Sequence, residues 1–257
     1  YSAVPTMHQA ILSRADRNSE IIAQTKLRFI RSSSAPLPST TMQEIEKTFH
    51  CPVIESYGMT EASHQMTSNH LPPGKRKAMK AGFAAGPEVS VMDNNHNILE
   101  NGKIGEIVIK GINVTRGYLN NPQANKDSFI NGWFRTGDQG FYDEEDFLQL
   151  TGRIKEIINK GGEKISPLEI DDEIMKHESV FQGITFPIVH NKLGEEVAAA
   201  IVLKKNHQLS EQELKEFLGN KLAPFKIPQK IIFLNEIPKG KTGKLQRIGL
   251  AKILGLE

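Results

Sequence analysis

The segment Ser56-Tyr57-Gly58-Met59-Thr60-Glu61 gathers an aromatic ring, a glycine, a hydroxyl and a carboxylate within a few positions, just after the strand-like run Pro52-Val53-Ile54. That set suits a nucleotide. The Tyr57 ring can stack on a base, Gly58 lets the backbone approach a phosphate, the Thr60 hydroxyl can bond a phosphate oxygen and Glu61 can hold Mg2+. The same residues also read as a capped strand-to-helix turn.

Elements that would position this segment can be read on both sides of it. A helical stretch from Met7 to Arg14, a strand-like Leu27-Arg28-Phe29-Ile30, helical spacing of Met42, Ile45 and Phe49, and the strand before Ser56 give α/β order with a parallel sheet. A polar loop is expected after that last strand. Residues 74 to 150 change character, with strand-like Val89-Ser90-Val91-Met92 and Glu106-Ile107-Val108-Ile109-Lys110 between Gly and Asn turns, so a small β subdomain is expected. Within it Lys75-Arg76-Lys77 and Lys80 read as a solvated connector.

Beyond Gly152, Ser166-Pro167-Leu168-Glu169 and Ser210-Glu211-Gln212-Glu213 each place a serine three residues before a glutamate, which predicts two helix starts. Strand-like Gly183-Ile184-Thr185-Phe186, Ala200-Ile201-Val202-Leu203 and Lys230-Ile231-Ile232-Phe233-Leu234 alternate with them. The fold class read here is α/β plus α+β, with one domain over 1–152 and a smaller one over 153–257.

Composition is neutral on partners. The 257 residues hold 32 basic and 30 acidic side chains, 38% hydrophobic and 24% charged residues, which offers no field for nucleic acid and no apolar run of membrane length. A single cysteine, Cys51, excludes an internal disulfide framework and fits a reducing compartment. With no signal-peptide pattern and no Ser-Lys-Leu ending, the cytoplasm is the expected location. The opening Tyr1-Ser2-Ala3-Val4-Pro5, without methionine, is expected to mark a piece of a longer chain.

Together, the Tyr57-Gly58-Met59-Thr60-Glu61 signature and the segments that follow in order resemble the adenylate-forming superfamily of acyl-CoA synthetases, luciferases and peptide-synthetase adenylation domains. The resemblance implies an ATP-dependent acid–CoA ligase that uses ATP, Mg2+ and coenzyme A, with no nucleic-acid or membrane partner. In Trp133-Phe134-Arg135-Thr136-Gly137-Asp138 it implies that Asp138 binds the ribose hydroxyls; alone, Asp138 reads as a turn cap. In Thr151-Gly152-Arg153-Ile154-Lys155-Glu156 it implies a ribose or phosphate contact for Arg153, otherwise a surface ion pair, and a hinge at Lys155.

Pro238-Lys239-Gly240-Lys241-Thr242-Gly243-Lys244 resembles the loop whose last lysine bridges the acid and the α-phosphate, making Lys244 catalytic with Thr60 and Glu61. Read alone, that run is a lysine-rich surface hairpin. Gly161-Gly162 matches the loop lining the pantetheine tunnel, or serves a tight turn. The implied domains are the end of a large AMP-binding domain and a small mobile one that rotates between two half-reactions. The phosphate loop of the superfamily lies upstream of anything present here.

The small-residue segment Arg31-Ser32-Ser33-Ser34-Ala35-Pro36-Leu37 lies, by the same resemblance, beside the acid, with Ser33, Ser34 and Ala35 also against the nucleotide. Serines stand where most relatives have Gly and Ala, and His64 follows three residues after Glu61, so the wall gains hydroxyls and an imidazole. Ser34 and His64 are the expected partners of a second carboxylate, although a lone histidine more often sits satisfied on a surface. Met59 to Asn69 and Ala3 to Gln9 are similar to the oxalate–CoA ligase branch. The alternatives are a fatty or aromatic acid, or a nucleotide-binding regulatory fragment without turnover.

Overall fold

The computed structural model describes residues 1–240 and 245–256. The chain divides into two compact units, Tyr1–Leu150 and Thr151–Glu257.

In the first unit a five-stranded sheet runs in the order Ser2–Ala3, Ile30–Ser33, Val53–Met59, His64–Ser68 and Phe83–Ala84. Its first three strands are parallel and the rest antiparallel. The change of sense follows from the connections. Helices Pro5–Leu12 and Ser39–Phe49 supply crossovers, whereas only the short 3-10 turn Thr60–Ala62 separates Met59 from His64 and forces the chain straight back. Ile30, Leu37, Met42, Ile45, Cys51 and Val53 form the core between helix and sheet.

Three expectations are corrected here. The strand sought at Leu27 begins only at Ile30 and ends at Ser33. Its last two residues, Ser32 and Ser33, are buried against neighbouring strands, so hydrophobicity marks its approach and not its span. The polar loop after Ile54 is instead strand as far as Met59. The basic run is a connector but only partly a solvated one: Lys75 stays exposed and Lys77 half-exposed beside Glu145, whereas Arg76 is drawn onto Glu46 at 2.6 Å and Lys80 onto Asp143 at 3.1 Å.

An antiparallel sheet completes this unit, with Glu88–Met92, Gly105–Lys110, Trp133–Tyr142 and the strand Leu148–Arg153, in which the unit ends, as successive neighbours. Phe129–Ile130 pairs with the long third strand. Ala62, Met66, Ile109 and Phe134 pack together between the two sheets.

The second unit is built on the antiparallel pair Val180–His190 and Gly194–Leu203. Along the latter, Val197, Ala199 and Ile201 face one core while Ala198, Ala200 and Val202 face another. A strand covered on both faces must read as an unbroken apolar run, as Val197 to Leu203 does. Helices Pro167–Met175 and Glu211–Gly219 pack on the first face. Ser166 caps the former by accepting from the Glu169 amide, and Ser210 and Glu213 form a reciprocal capping box on the latter. Among the described residues no helix is long and apolar enough to cross a membrane.

Candidate active site

Tyr57 and Asp138, far apart in sequence, meet in the first unit. The Tyr57 hydroxyl donates to Asp138 Oδ2 at 2.6 Å. Tyr57 lies on the strand Val53–Met59 and Asp138 on Trp133–Tyr142, where the sheet register shifts and Gly137 takes a left-handed φ of 72°. That irregularity re-aims the next side chain. Thr136 Oγ1 accepts from the Asp138 amide at 3.1 Å and donates to the Ile107 carbonyl at 2.7 Å, so the backbone under the carboxylate is pinned. Asp138 is buried on a strand, which removes the turn-cap reading.

Gly58 has a reason that its sequence context does not reveal. A Cβ there would lie 1.5 Å from the His64 carbonyl oxygen, because the register shifts between Tyr57 and Gly58 and brings the two strands together. The turn beyond is also tightly constrained: Ser63 and His64, neither a glycine, hold φ of 53° and 87°. Such backbone persists only where surroundings over-determine it. Asn113 Nδ2 donates to the Ala62 carbonyl at 2.9 Å and Ser63 Oγ to the Asn113 carbonyl at 3.0 Å. The Thr115 amide donates to the Glu61 carbonyl at 2.6 Å.

Half-buried Glu61 presents its carboxylate from this turn, and Oε1 accepts from the Tyr118 hydroxyl at 2.9 Å. Burial, followed by that hydrogen bond and the Glu61 charge, pushes the Tyr118 phenol above its ordinary range, so it stays a donor. Thr60 is exposed beside it, and Met59 is the last residue of the strand. Among the described residues no three acidic, histidine or cysteine side chains gather as a metal cage. A single carboxylate nevertheless fits Mg2+, which keeps waters and takes few protein ligands.

On the neighbouring strand a cation missing from the expected set appears. Arg31 Nη2 lies 3.4 Å from His64 Nδ1 and donates to Gln65 Oε1 at 3.2 Å, while Nη1 donates to Ser33 Oγ and Ser2 Oγ at 3.4 Å each. A guanidinium only donates, so this contact is a hydrogen bond where His64 Nδ1 accepts. Partial burial lowers the Arg31 pKa. Ser34 is exposed with φ of 72°, next to the half-buried Ala35, and His64 is exposed at the start of its strand. The signal that could have found Arg31 is its place two residues before Ser33 on one strand, which puts both on one face.

In the second unit Lys244 falls outside the described residues. Lys239 and Leu245 on either side of it form an isolated antiparallel bridge, and the Gln246 amide donates to the Pro238 carbonyl at 3.1 Å. Arg153 precedes the 3-10 turn Ile154–Glu156, which contains exposed Lys155. Gly161 and Gly162, at φ of 60° and 98°, are the two-residue turn between Ile158–Lys160 and Glu163–Ile165. A primed hairpin turn requires positive φ at both positions, so the tight-turn reading accounts for the pair. A Cβ at Gly162 would meet nothing within 4 Å.

Arg247 is a second residue absent from the expected set. Its guanidinium donates to Glu156 Oε2 at 3.1 Å, to Asp171 Oδ2 at 2.8 Å and to the Thr185 carbonyl. Burial alone would lower its pKa; Asp171 and Glu156 outweigh that and raise it.

Residues 1–119 match the AMP-binding enzyme family and residues 169–244 the AMP-binding enzyme C-terminal domain. The chain is 49% identical over 254 residues to oxalate–CoA ligase of Saccharomyces cerevisiae, covering 98% of this chain and 46% of that protein. It is 44% identical over 248 residues to oxalate–CoA ligase of Arabidopsis thaliana, covering 96% of this chain and 48% of the relative. The crystal structure of ATP-bound MatB from Rhodopseudomonas palustris superimposes with a TM-score of 0.88 at 33% identity, over 98% of this chain and 49% of that one. The chain thus spans about half the length of the proteins it matches.

Proposed function

Because this chain belongs to the AMP-binding enzyme family, we propose that the protein containing it is an ATP-dependent acid–CoA ligase whose acid is oxalate. The observation that carries the reading is the hydrogen bond between Tyr57 and Asp138, which ties a ring suited to stacking on adenine to a carboxylate suited to ribose hydroxyls. In this reading Tyr57, Gly58 and Met59 flank the base, Ser33, Ser34 and Ala35 line its other side, and Arg153 reaches ribose or phosphate. Thr60 bonds a phosphate oxygen. Glu61 would hold the Mg2+, which would neutralise phosphate charge.

The acid's carboxylate oxygen attacks the α-phosphorus of ATP, pyrophosphate leaves, and the product is an acyl-adenylate. Lys244 supplies positive charge where one anion attacks another. The thiol of coenzyme A, deprotonated as it adds, then attacks the acyl carbon and expels AMP. We assign Lys155 as the pivot between these half-reactions and the Gly161-Gly162 turn as a wall for the pantetheine chain, with 1–152 completing the large domain and 153–257 forming the mobile one. We place the protein in the cytoplasm, where a buried free thiol such as Cys51 stays reduced.

Oxalate is favoured by the charge around His64. Oxalate offers no apolar surface, so its second carboxylate must be held by charge-assisted donors. Arg31, oriented by Ser33 and Gln65 and touching His64, supplies the positive charge; the imidazole and the Ser34 hydroxyl add further donors. The names of the two relatives that are oxalate–CoA ligases agree with this choice.

The test measures pyrophosphate and CoA thioester formed by the full-length protein with oxalate, malonate, acetate and a medium-chain fatty acid. Oxalate should be preferred, and His64→Ala should lower kcat/KM for oxalate by roughly a hundred-fold while changing acetate little. Lys244→Ala should suppress adenylate formation far more than thioester formation from preformed acyl-adenylate. A preference for the fatty acid, or equal losses on oxalate and acetate, would reject oxalate and leave only the ligase class; equal loss in both half-reactions would reject the role of Lys244.

A further inference from the structure

The loop that follows Gly105–Lys110 makes repeated contact with one short turn. Asn113 binds the Ala62 carbonyl and receives the Ser63 hydroxyl, Thr115 binds the Glu61 carbonyl, and Tyr118 binds the Glu61 carboxylate. The loop is itself braced: the Tyr118 amide donates to Asn125 Oδ1 at 2.6 Å, and Asn125 Nδ2 returns a bond to the Tyr118 carbonyl at 3.0 Å. The Tyr118 ring leans on Phe134 with centroids 6.5 Å apart. A half-buried glutamate on an irregular turn would otherwise rotate among rotamers and hydrated arrangements.

We propose that Tyr118 is a positioning residue for Glu61: its hydroxyl engages Oε1 and turns Oε2 toward the cation that accompanies the nucleotide, while Asn113 and Thr115 hold the backbone beneath. The inference rests on Glu61 being the Mg2+ ligand. A carboxylate with one oxygen held by a fixed donor presents the other in one direction, so the cation meets a prearranged ligand. The left-handed Ser63 and His64 explain why the backbone needs its own clamp, since positive φ is uncommon for any residue but glycine.

The experiment titrates Mn2+ into the full-length protein with ATP, following unbound Mn2+ by electron paramagnetic resonance, for wild type, Tyr118→Phe, Glu61→Gln and the double variant. Tyr118→Phe keeps the ring, so its melting temperature should match wild type. Its Mn2+ affinity should fall by roughly ten-fold or more. The Mg2+ concentration for half-maximal acid-dependent ATP–pyrophosphate exchange should rise by the same factor, with the rate recovered at saturating Mg2+ and the KM for the acid unchanged. In the Glu61→Gln background, Tyr118→Phe should add nothing. Wild-type Mn2+ affinity in Tyr118→Phe, or an undiminished further loss in the double variant, overturns the positioning role while leaving Glu61 as ligand. Wild-type Mn2+ affinity in Glu61→Gln removes the ligand assignment and the inference with it.

Discussion

His8 is fully buried, and burial is the main reason its imidazole is pulled down to about 4 from 6.5, against the opposing pull of backbone contacts with Ala3 and Arg31. Above 6.5 the folded and unfolded chains both hold it neutral. As pH falls from 6.5 toward 4 the unfolded chain takes a proton that the folded one refuses, so stability declines through that window and levels off below it. Denaturant melts of this chain between pH 7 and pH 4 should therefore slope downward, and His8→Gln should flatten the slope; an unchanged slope would assign the acid sensitivity elsewhere. Residue types with strong chemical character were legible from the chain alone, as at Tyr57, Glu61 and Asp138. Arg31 was legible only in part: its place two residues before Ser33 puts both on one face, but whether that face carries a wall cation or a surface one is set only when the strand pairs beside His64.

At the scale of elements, the strand–turn–strand from Val53 to Ser68 depends on Gly58. Adding a methyl at a distance of 1.5 Å from the His64 carbonyl oxygen cannot be relieved by a side-chain rotation, since the obstacle is backbone. Overpacking in a core costs about 1–3 kcal/mol, and this clash should reach or pass the upper end. Gly58→Ala should therefore lower unfolding free energy by about 3 kcal/mol or more, and shift the amide resonances of Ser63 and His64. A variant within about 0.5 kcal/mol of wild type, the usual range of surface changes, would mean that the strands separate easily there. Helix starts at Ser166 and Ser210 were readable because a cap is a local hydrogen-bond pattern. The strand Ile30–Ser33 was not, because its burial comes from neighbours on both sides and not from its own hydrophobicity.

For the molecule as a whole, the apolar clusters divide as the chain does: those of Ile30 and Met66 lie within the first unit, those of Ile201 and Phe186 within the second. A unit of about a hundred residues with its own cores is of ordinary domain size, so residues 151–257 expressed alone should unfold cooperatively. Arg247→Met in that piece leaves Glu156 and Asp171 without their buried cation and should cost about 3–5 kcal/mol. A broad, non-cooperative melt of the wild-type piece, or a loss under about 1 kcal/mol from Arg247→Met, well below that range, would refute this picture. The α/β plus α+β class and the chemical types at the nucleotide segment were determined by the sequence alone, because they depend on local composition and spacing, and the family followed from the resemblance of its motifs, taken in order, to a known superfamily. The meeting of Tyr57 with Asp138, of Arg31 with His64, of Tyr118 with Glu61 and of Arg247 with Glu156 was decided only by tertiary structure. The physical reason is that each joins groups from separate elements, whose distance is set by strand register and loop closure and leaves no trace in the residues between.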